Sequence, residues 1–353
     1  MTSTTPAEKD RDAPPAPGPI HVLFCADRGY LQHVAVAAAS VAESSPGRAI
    51  RFHLLTCDPA SEAEDRLRES LRRYPAVALA IHRVAGARLD RLFVDRHLTR
   101  EAYLRFLAPE VLPADIDRVI YLDVDLLVLD DIDKLWAADL AGKAVGAVAE
   151  IAWGEAAPDT RAAALGIAPG HVYVNSGVLV IDLGRWRRDG LCRGLLDCAA
   201  ALGSRAAYHD QDALNMVLQG DIALLDRRWN VQTLMLGSWY RRALPGDHRA
   251  TAAARRRPAI VHFSTGAKPW KFRARTRRRA DYFRFRERTA WRDQPPPGLT
   301  GAERLEHAAA RALLRVGIDV YLVAGIGDRL RAARAGMVRR RGTTLGAPED
   351  ARP

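Results

Sequence analysis

Short apolar runs alternate with amphipathic stretches along much of the chain. Aliphatic runs such as 20–27 and 118–129 are typical of strands buried on both faces of a sheet. The stretches 30–44 and 61–74 carry apolar residues at helical spacing, and the second opens with Ser61 and several acidic residues, a helix N-terminus signal. This alternation predicts an α/β fold with a Rossmann-like, mostly parallel sheet flanked by helices.

The other elements continue the alternation. We predict strands at 49–58, 76–84 and 258–265, helices at 99–113 and 209–220, and a strand pair or polar-interrupted strand at 172–186. The N-terminal segment is polar and Pro-rich and lacks the apolar region of a signal peptide. We therefore expect a disordered leader at 1–19, a folded domain at 20–290, and a Pro-rich linker with a basic helical extension at 291–353.

Charge is distributed unevenly between the two ends of the chain. The formal net charge is +11, but residues 1–240 carry 26 Lys and Arg against 32 Asp and Glu, and residues 241–353 carry 27 against 10. An acidic body with a basic end favours a cation in the body and an anionic partner at the end, whether phosphate, membrane surface or nucleic acid. No uncharged apolar stretch of about twenty residues occurs, so we expect no membrane span.

Two carboxylates, Asp123 and Asp125, interrupt the apolar run 118–129. Buried carboxylates are destabilising unless a basic partner, the open end of the strand or a cation compensates them. Residues two apart on an extended chain point to the same side, so this pair could clamp one ion. An EF-hand is excluded, because Leu127 and Val128 stand where it needs an oxygen ligand and a glycine. A haloacid dehalogenase-type phosphatase stays open, as do aspartates that only cap a turn or pair with arginines.

Four other segments bring polar residues to strand ends and helix starts, where a parallel sheet gathers them in one cleft. They are NSGVLVIDLGRW at 175–186, HDQDALNMVL at 209–218, RWN at 228–230 and VHFSTGAKPW at 261–270. With YLDVDLLVLDDIDKLW at 121–136, they resemble in order the motifs of glycosyltransferase family 8, which includes bacterial lipopolysaccharide galactosyl- and glucosyltransferases and glycogenin. The resemblance covers roughly residues 20–272. It implies a GT-A fold and a retaining enzyme that moves a hexose, glucose or galactose, from a UDP-sugar to an acceptor hydroxyl.

The resemblance further implies a Mn²⁺ or Mg²⁺ cofactor, with the UDP-sugar as co-substrate. The family's D-x-D metal motif falls on Asp123, Val124 and Asp125, and its third metal ligand on His262, which alone would be interpreted as a core histidine. Two carboxylates and an imidazole suit Mn²⁺ better than Ca²⁺. Lys268 matches the lysine that approaches the diphosphate, where it would neutralise the charge of the leaving group.

The donor site and the catalytic residues follow from the same resemblance. The residues expected to bind the donor are Cys25, Ala26, Asp27, Tyr30, Arg105, Asp123, Val124, Asp125, Asn175, Gly177, Asp212 and Gly266. Gln211 matches the position nearest the anomeric carbon, and because it is a poor nucleophile we favour same-face attack over a covalent intermediate. Asp210 is the alternative nucleophile. As a structural alternative, Asp210 or Asp212 caps its helix.

The basic end contains one more pattern. Apolar residues recur at three- and four-residue steps, which predicts one apolar helix face made of Leu305, Ala309, Leu313, Val316, Val320 and Val323. A basic amphipathic helix could lie on an anionic membrane surface, which would suit a cell-envelope glycan or glycolipid acceptor and a cytoplasmic, peripheral enzyme. Packing of this face on the body or a second subunit stays open, as does a protein acceptor. Nucleic-acid binding is disfavoured, since few aromatics accompany the arginines.

Overall fold

The computed structural model describes residues 18–94, 100–151, 164–206, 208–237, 248–296 and 298–321. Its strands are β1 (Ile20–Cys25), β2 (Ile50–Thr56), β3 (Val77–Arg83), β4 (Arg118–Leu122), β5 (Leu126–Val128), β6 (Val145–Ala149), β7 (Val174–Asp182), β8 (Ile222–Leu224), β9 (Val231–Gln232) and β10 (Ile260–His262). Its α-helices are α1 (Leu31–Ser44), α2 (Glu62–Leu71), α3 (Ala108–Val111), α4 (Asp133–Trp136), α5 (Leu183–Arg188), α6 (Leu191–Leu202), α7 (His209–Val217), α8 (Thr233–Leu236), α9 (His248–Arg256), α10 (Arg279–Arg286) and α11 (Gly301–Arg315).

The main sheet has seven strands in the order β3-β2-β1-β4-β7-β6-β8. Strands β3, β2, β1 and β4 run parallel, β7 runs antiparallel to β4 and β6, and β8 runs parallel to β6. After β1 the chain builds β2 and then β3 on one side of it, and it then crosses over to form β4 on the other side. In such sheets ligands bind at this switch point, outside the carboxyl ends of the strands. The prediction of a mostly parallel α/β sheet is confirmed.

Both faces of the main sheet are covered, as its aliphatic strands predict. Val22 and Phe24 of β1 pack in one apolar layer with Leu31 and Val34 of α1. Leu23, which points to the opposite face, belongs to a second layer that includes residues of α6 and α7. Successive strand residues therefore alternate between two buried faces. The carboxyl ends of β1 and β4 are left as the open edge between these layers.

The run 118–129 forms two strands and not the single strand we predicted. β4 ends at Leu122, the chain turns through Asp123–Asp125, and β5 then pairs antiparallel with β10 in a separate sheet of order β5-β10-β9. The Asp123 N–H donates to the carbonyl of Gly177 at 2.8 Å, the last link to the main sheet. The strand breaks where the two carboxylates would otherwise be buried between apolar layers.

Two other elements differ from the predictions. The stretch 99–113 is mostly a 3-10 helix, Arg100–Leu107, followed by the single turn α3, and not one α-helix. The stretch 172–186 contains one continuous strand, β7, followed by α5, so its polar residues 175–177 lie inside a strand. Of these residues only Asn175 pairs with β6, at Val148, and the ladder skips Ser176 and Gly177 where the register shifts between Ala147 and Val148. The polar interruption that we predicted as one alternative is thus present in the pairing of the strand.

At the C-terminal side, α11 starts at a capping box formed by Thr300 and Glu303. Its buried residues include His307 and Leu314, and Leu314 packs in the apolar cluster of the small sheet and α10. The apolar face we predicted lies on the opposite side, since Leu305 and Val316 are 74% and 71% exposed. Most of the predicted leader and the chain beyond residue 321, including Val323, lie outside the described residues.

Candidate active site

A cleft of about 590 Å³ opens at the carboxyl ends of β1 and β4, at the switch point of the sheet. Most of the residues predicted for the donor, the metal and catalysis line it: Cys25, Ala26, Asp27, Tyr30, Arg105, Asp123, Val124, Asp125, Asn175, Asp210, Gln211, His262 and Lys268. They come from segments far apart in the chain, from the ends of β1, β4, β7 and β10 to the start of α7. The sheet thus brings the predicted motifs together in one place.

Three of these residues form a compact cluster of potential metal ligands. Nε2 of His262 lies 3.1 Å from Oδ1 of Asp125 and 3.6 Å from Oδ2 of Asp123. One ligand atom from each residue lies within 4.8 Å of the other two. The turn after β4 supplies both carboxylates and β10 supplies the imidazole, because β10 pairs with β5 directly beyond that turn.

Cationic side chains surround the two carboxylates of the cluster. Lys268 donates from Nζ to Asp125 and to the carbonyl oxygen of Phe263. Burial by itself would raise the pKa of Asp125, but the charges of Lys268 and His262 hold this pKa well below its ordinary value. Burial opposes protonation of His262, whereas the carboxylates of Asp125 and Asp123 raise its pKa. The site therefore collects positive charge around two carboxylates.

The three ligand atoms fit a divalent metal ion by their chemistry. A neutral imidazole presents a lone pair at Nε2 only if Nδ1 carries the proton, and Nδ1 of His262 lies 2.9 Å from Oδ1 of Asn230. Nε2 and two carboxylates would then face one another as acceptors, which is favourable only around a cation. Among the described residues, no other cluster of at least three His, Cys, Asp or Glu side chains meets this geometry.

Arg105 joins the cluster of potential metal ligands to α7. Its Nη2 lies 3.1 Å from Oδ1 of Asp123 and its Nη1 3.3 Å from Oδ2 of Asp210. The guanidinium is buried, stacks over the ring of Tyr121 at 4.1 Å and donates to the carbonyl of Ser176 at 2.7 Å. Burial raises the pKa of Asp210, and the charge of Arg105 opposes this effect. Arg105 thus holds both carboxylates in place from within the cleft lining.

Gly177 lies behind the cluster of potential metal ligands. A Cβ at this position would lie 2.3 Å from Cε1 of His262 and 2.6 Å from Oδ2 of Asp123. Real Cβ atoms do not approach other atoms so closely, so the cluster can assemble only over a residue without a side chain. Gly266 is different, because a Cβ there would meet nothing within 4 Å. Neither glycine is part of the cleft lining.

Amide and carboxylate side chains form a network at the α7 side of the cleft. Nδ2 of Asn175 donates to Oε2 of Glu150 at 2.8 Å and to Oε1 of Gln211 at 3.1 Å. Gln211 also accepts from the Ser176 N–H at 3.1 Å. His209, at the start of α7, has a φ of 44°, a backbone conformation that a non-glycine residue rarely adopts and that is typical of functional sites.

Asp212 and Asp210 play different structural parts. Asp212 lies below the cleft, where it accepts from the hydroxyl of Tyr173 at 2.6 Å and from the N–H of Tyr208 at 3.0 Å. It therefore satisfies a backbone donor at the start of α7, as a helix cap does. Asp210 instead accepts from the Ser176 hydroxyl at 3.0 Å. Asp210 lines the cleft, and Asp212 does not.

The end of β1 forms the other wall of the cleft. The carboxylate of Asp27 accepts from the N–H groups of Gly29 and Tyr30 at 2.8 and 3.1 Å, which holds the turn after the strand. Tyr30 is exposed and packs edge-on against Trp270. Burial raises the pKa of the Cys25 thiol, so this side chain stays protonated. A flat aromatic and a fixed carboxylate at a strand end can bind a planar base and ribose hydroxyls.

Several residues of the site were not assigned from the sequence. Tyr121 donates to Oδ1 of Asp123 at 2.6 Å, and Glu150 and Gln232 line the cleft. Glu150 directly follows β6 and could have been found as another polar residue at a strand end. Asn230 lies in the RWN segment, but no sequence pattern tells that its side chain turns towards His262. Tyr121 is indistinguishable from a core tyrosine in a buried strand.

Comparisons with known proteins agree with this geometry. The model of the family described as glycosyl transferase family 8 matches residues 21–274, and the chain belongs to this family. General stress protein A of Bacillus subtilis is 28% identical over 284 residues, covering 79% of this chain and 97% of that protein. Lipopolysaccharide 1,3-galactosyltransferase of Salmonella typhimurium is 27% identical over 216 residues, covering 60% and 63% of the two chains.

A solved structure supports the fold. Galactosyltransferase LgtC, in complex with donor and acceptor sugar analogs, aligns with a TM-score of 0.66 at 24% identity, over 81% of this chain and 100% of LgtC. The GT-A fold is thus confirmed, and the family membership makes the protein a sugar transferase. Among the described helices none combines the length and apolar character that a membrane crossing requires.

Proposed function

We propose that this protein transfers a hexose, glucose or galactose, from a UDP-sugar to an acceptor hydroxyl and retains the anomeric configuration. The observation that carries the proposal is the convergence of Asp123, Asp125, His262 and Lys268 in the cleft at the switch point. Two carboxylates and one imidazole suit a divalent ion, and the ammonium group of Lys268 suits a diphosphate beside that ion. The most suitable ion for this mixed oxygen and nitrogen set is Mn²⁺, with Mg²⁺ as the alternative.

The donor would span the cleft from β1 to α7. In this pose Cys25, Ala26, Asp27 and Tyr30 line the nucleotide end, and the diphosphate lies near the Asp125–Lys268 ion pair. The hexose then meets Asn175, Gln211 and Glu150, whose amide and carboxylate groups suit sugar hydroxyls. Arg105 supports this arrangement through Asp123 and Asp210. Asp212 and Gly177 support the site from behind and need not contact the donor.

The chemistry requires charge stabilisation more than a base. A divalent ion held by Asp123, Asp125 and His262 would act as a Lewis acid towards the diphosphate. Lys268 adds a positive charge where negative charge develops as the glycosidic bond breaks. Gln211 faces the cleft with a neutral amide, and Asp210 is buried, paired with Arg105 and bonded to Ser176. Because Asp210 is held in this way, we favour same-face attack by the acceptor, with Gln211 as electrostatic support.

The exposed apolar face of α11 supports an acceptor at a membrane. Leu305 of α11 and Val316, the C-cap residue that follows this helix, are exposed, and Arg304 and Arg315 of the helix are exposed as well. An apolar stripe with arginines beside it is the pattern of a helix that lies in an anionic lipid surface. The acceptor would then be a glycan or glycolipid of the cell envelope. All four cysteines are free, which suits a cytoplasmic enzyme at the inner face of the membrane.

The test is UDP release from a panel of UDP-hexoses, with and without Mn²⁺. The wild-type protein is compared with two variants, Asp125→Asn and the control Asp293→Asn. The side chain of Asp293 is 83% exposed and lies outside the cleft lining. We expect metal-dependent release from one donor, lost in Asp125→Asn and kept in Asp293→Asn. Equal release by both variants would contradict the proposal. Phosphate release without any UDP-sugar would instead favour the phosphatase interpretation.

A further inference from the structure

Asn230 connects the candidate metal ligand His262 to the candidate sugar site. Its Oδ1 lies 2.9 Å from Nδ1 of His262, and its Nδ2 donates to Oδ1 of Asn175 at 2.7 Å. Asn230 is fully buried, and both of these hydrogen bonds are buried. On the far side, Nδ2 of Asn175 donates to Glu150 and Gln211. We call this chain of side chains, His262–Asn230–Asn175–Gln211, the amide relay.

The direction of each hydrogen bond in the amide relay is fixed by two groups that cannot change roles. The backbone N–H of Gly177 donates to Asn175 at 2.9 Å, so the atom that accepts it must be the amide oxygen. Independently, the carboxylate of Glu150 can only accept, so the group of Asn175 that faces it must be the NH₂. The orientation of the Asn175 amide therefore follows from chemistry and not from a choice between its nitrogen and oxygen.

The orientation of Asn175 determines the orientation of Asn230. Since Oδ1 of Asn175 only accepts, the group of Asn230 that faces it is the NH₂, and the oxygen of Asn230 must point to His262. An amide oxygen only accepts, so Nδ1 of His262 carries the proton. In the neutral ring this leaves the lone pair on Nε2, the atom that faces Asp123 and Asp125.

We propose that Asn230 is a positioning residue for the metal site: it fixes His262 as the tautomer that ligates through Nε2 and couples this ligand to the amides of the sugar site. The inference rests on the proposed function. Partners that hold the second nitrogen of a metal-ligating histidine orient the ring, and their loss weakens metal binding about 10- to 100-fold. Through its hydrogen bonds to both residues, Asn230 would transmit a shift of Asn175 on donor binding to His262.

Two variants separate this role from simple support of the core. Asn230→Leu keeps the approximate volume and removes both hydrogen bonds, whereas Asn230→Asp keeps an acceptor for Nδ1 of His262 and loses the donor to Asn175. The matched control is Asn215→Leu, because Asn215 is equally buried but bonds to the backbone of Val174 and Gln211 and to the side chain of His171, and not to His262 or Asn175. Unfolding midpoints of all variants report the purely structural loss.

Metal affinity is measured with Mn²⁺ as the probe, by the electron paramagnetic resonance signal of free Mn²⁺, with and without UDP. We expect the dissociation constant for Mn²⁺ to be about 10- to 100-fold larger in Asn230→Leu than in the wild type. In Asn230→Asp and Asn215→Leu this constant should change by less than about threefold. Asn230→Asp should still have a lower kcat/KM for the donor, because it lacks the NH₂ group that donates to Asn175 in the amide relay. Equal Mn²⁺ affinity in Asn230→Leu and wild type would overturn the inference. Mn²⁺-independent UDP binding by the wild type would instead count against the proposed function.

A measurement on the wild-type chain keeps the test independent of folding. Nitrogen-15 spectra of the histidine rings, with Mg²⁺ and UDP bound, report which nitrogen of His262 carries the proton, and the resonance is assigned by its absence in His262→Gln. We expect a proton on Nδ1. A proton on Nε2 would refute the inference, whatever the variants show.

Discussion

The imidazole of His262 packs directly on Gly177, where a Cβ would lie 2.3 Å from its Cε1. Replacing Gly177 by alanine must therefore move either the ring or strand β7, and both changes separate the ligand atoms that now lie within 4.8 Å. We predict that Gly177→Ala weakens Mn²⁺ affinity at least tenfold and lowers kcat/KM by about 100-fold. Titration with Mn²⁺ and donor kinetics measure the two effects.

A second glycine provides the control for this variant. Gly194 lies within α6, and a Cβ there would meet only Val217, at 3.8 Å. Since glycine is a poor helix former, Gly194→Ala should stabilise the fold by about 0.5–1 kcal/mol and leave activity unchanged. Denaturant unfolding checks this expectation. Unchanged metal binding in Gly177→Ala would show that the close contact is not needed.

Lys268 places a positive charge beside the candidate metal ligands. Its Nζ bonds to Asp125 and to the carbonyl of Phe263, at the edge of the cluster of candidate ligands. We predict that Lys268→Met lowers kcat by about 10²- to 10³-fold, because charge on the leaving diphosphate is no longer stabilised. Lys268→Arg should recover part of this loss. Single-turnover kinetics at saturating donor measure the rate of the chemical step in both variants. A change confined to KM would contradict the catalytic role of Lys268.

A ladder of three histidines should make the fold acid-sensitive. Nε2 and Nδ1 of His53 lie 3.0 Å from His21 and His82 on the neighbouring strands. Burial, together with these neighbours and Arg51, lowers the pKa of His53 to about 3. The unfolded chain then binds a proton that the native state does not, so stability is present above the unfolded pKa of about 6.5 and is lost as pH falls below it.

This ladder yields a defined loss of stability. Between pH 7 and pH 5, His53 alone should decrease the free energy of unfolding by about 2 kcal/mol. His33, whose pKa burial also lowers to about 3, adds to the same trend. Urea unfolding at both pH values measures it. The variant His53→Leu should show a correspondingly weaker pH dependence, and an identical dependence in both proteins would refute this assignment.

The exposed face of α11 can be tested with lipid vesicles. The double variant Leu305→Glu/Val316→Glu should abolish binding to vesicles that contain anionic lipid, because it removes the apolar stripe and adds charge. Its matched control is Val172→Glu/Leu224→Glu, at two other exposed apolar positions, 44% and 56% exposed. UDP release with a soluble acceptor should be unchanged in both. Vesicle binding that persists in the α11 variant would exclude this face, and a concentration-dependent dimer lost in it would assign the face to a second subunit.

The sequence predicted the parallel sheet well because buried strands have a local signature, and it predicted which motifs meet because the ends of parallel strands share one edge. It did not predict that the chain leaves the main sheet at Asp123. The apolar run continues through Leu126–Val128, and only the pairing of β5 with β10 shows the change. Periodicity likewise found an apolar face on α11 but assigned no side to it, since an exposed and a buried stripe have the same spacing.

The site shows the same division between local and long-range information. Asp123, Asp125 and Lys268 stand in recognisable motifs. Asn230 contacts His262 across the fold, 32 residues away, and no local spacing encodes such a contact. Tyr121 bonds to Asp123 only two residues further on, but in a buried strand its position is that of an ordinary core tyrosine. Asp212 was expected at the donor, yet its carboxylate lies below the cleft against Tyr173. Sequence identifies charged groups more readily than the partners that orient them.

The most direct test of the proposed function is calorimetric binding of UDP with and without Mn²⁺, for the wild type, Asp125→Asn and the exposed-site control Asp293→Asn. We predict that UDP binds the wild type and the control only with Mn²⁺, and that Asp125→Asn loses this binding by at least 100-fold. Binding of UDP that is equally tight without metal, or that Asp125→Asn retains, would contradict a donor site built on Asp123, Asp125 and His262.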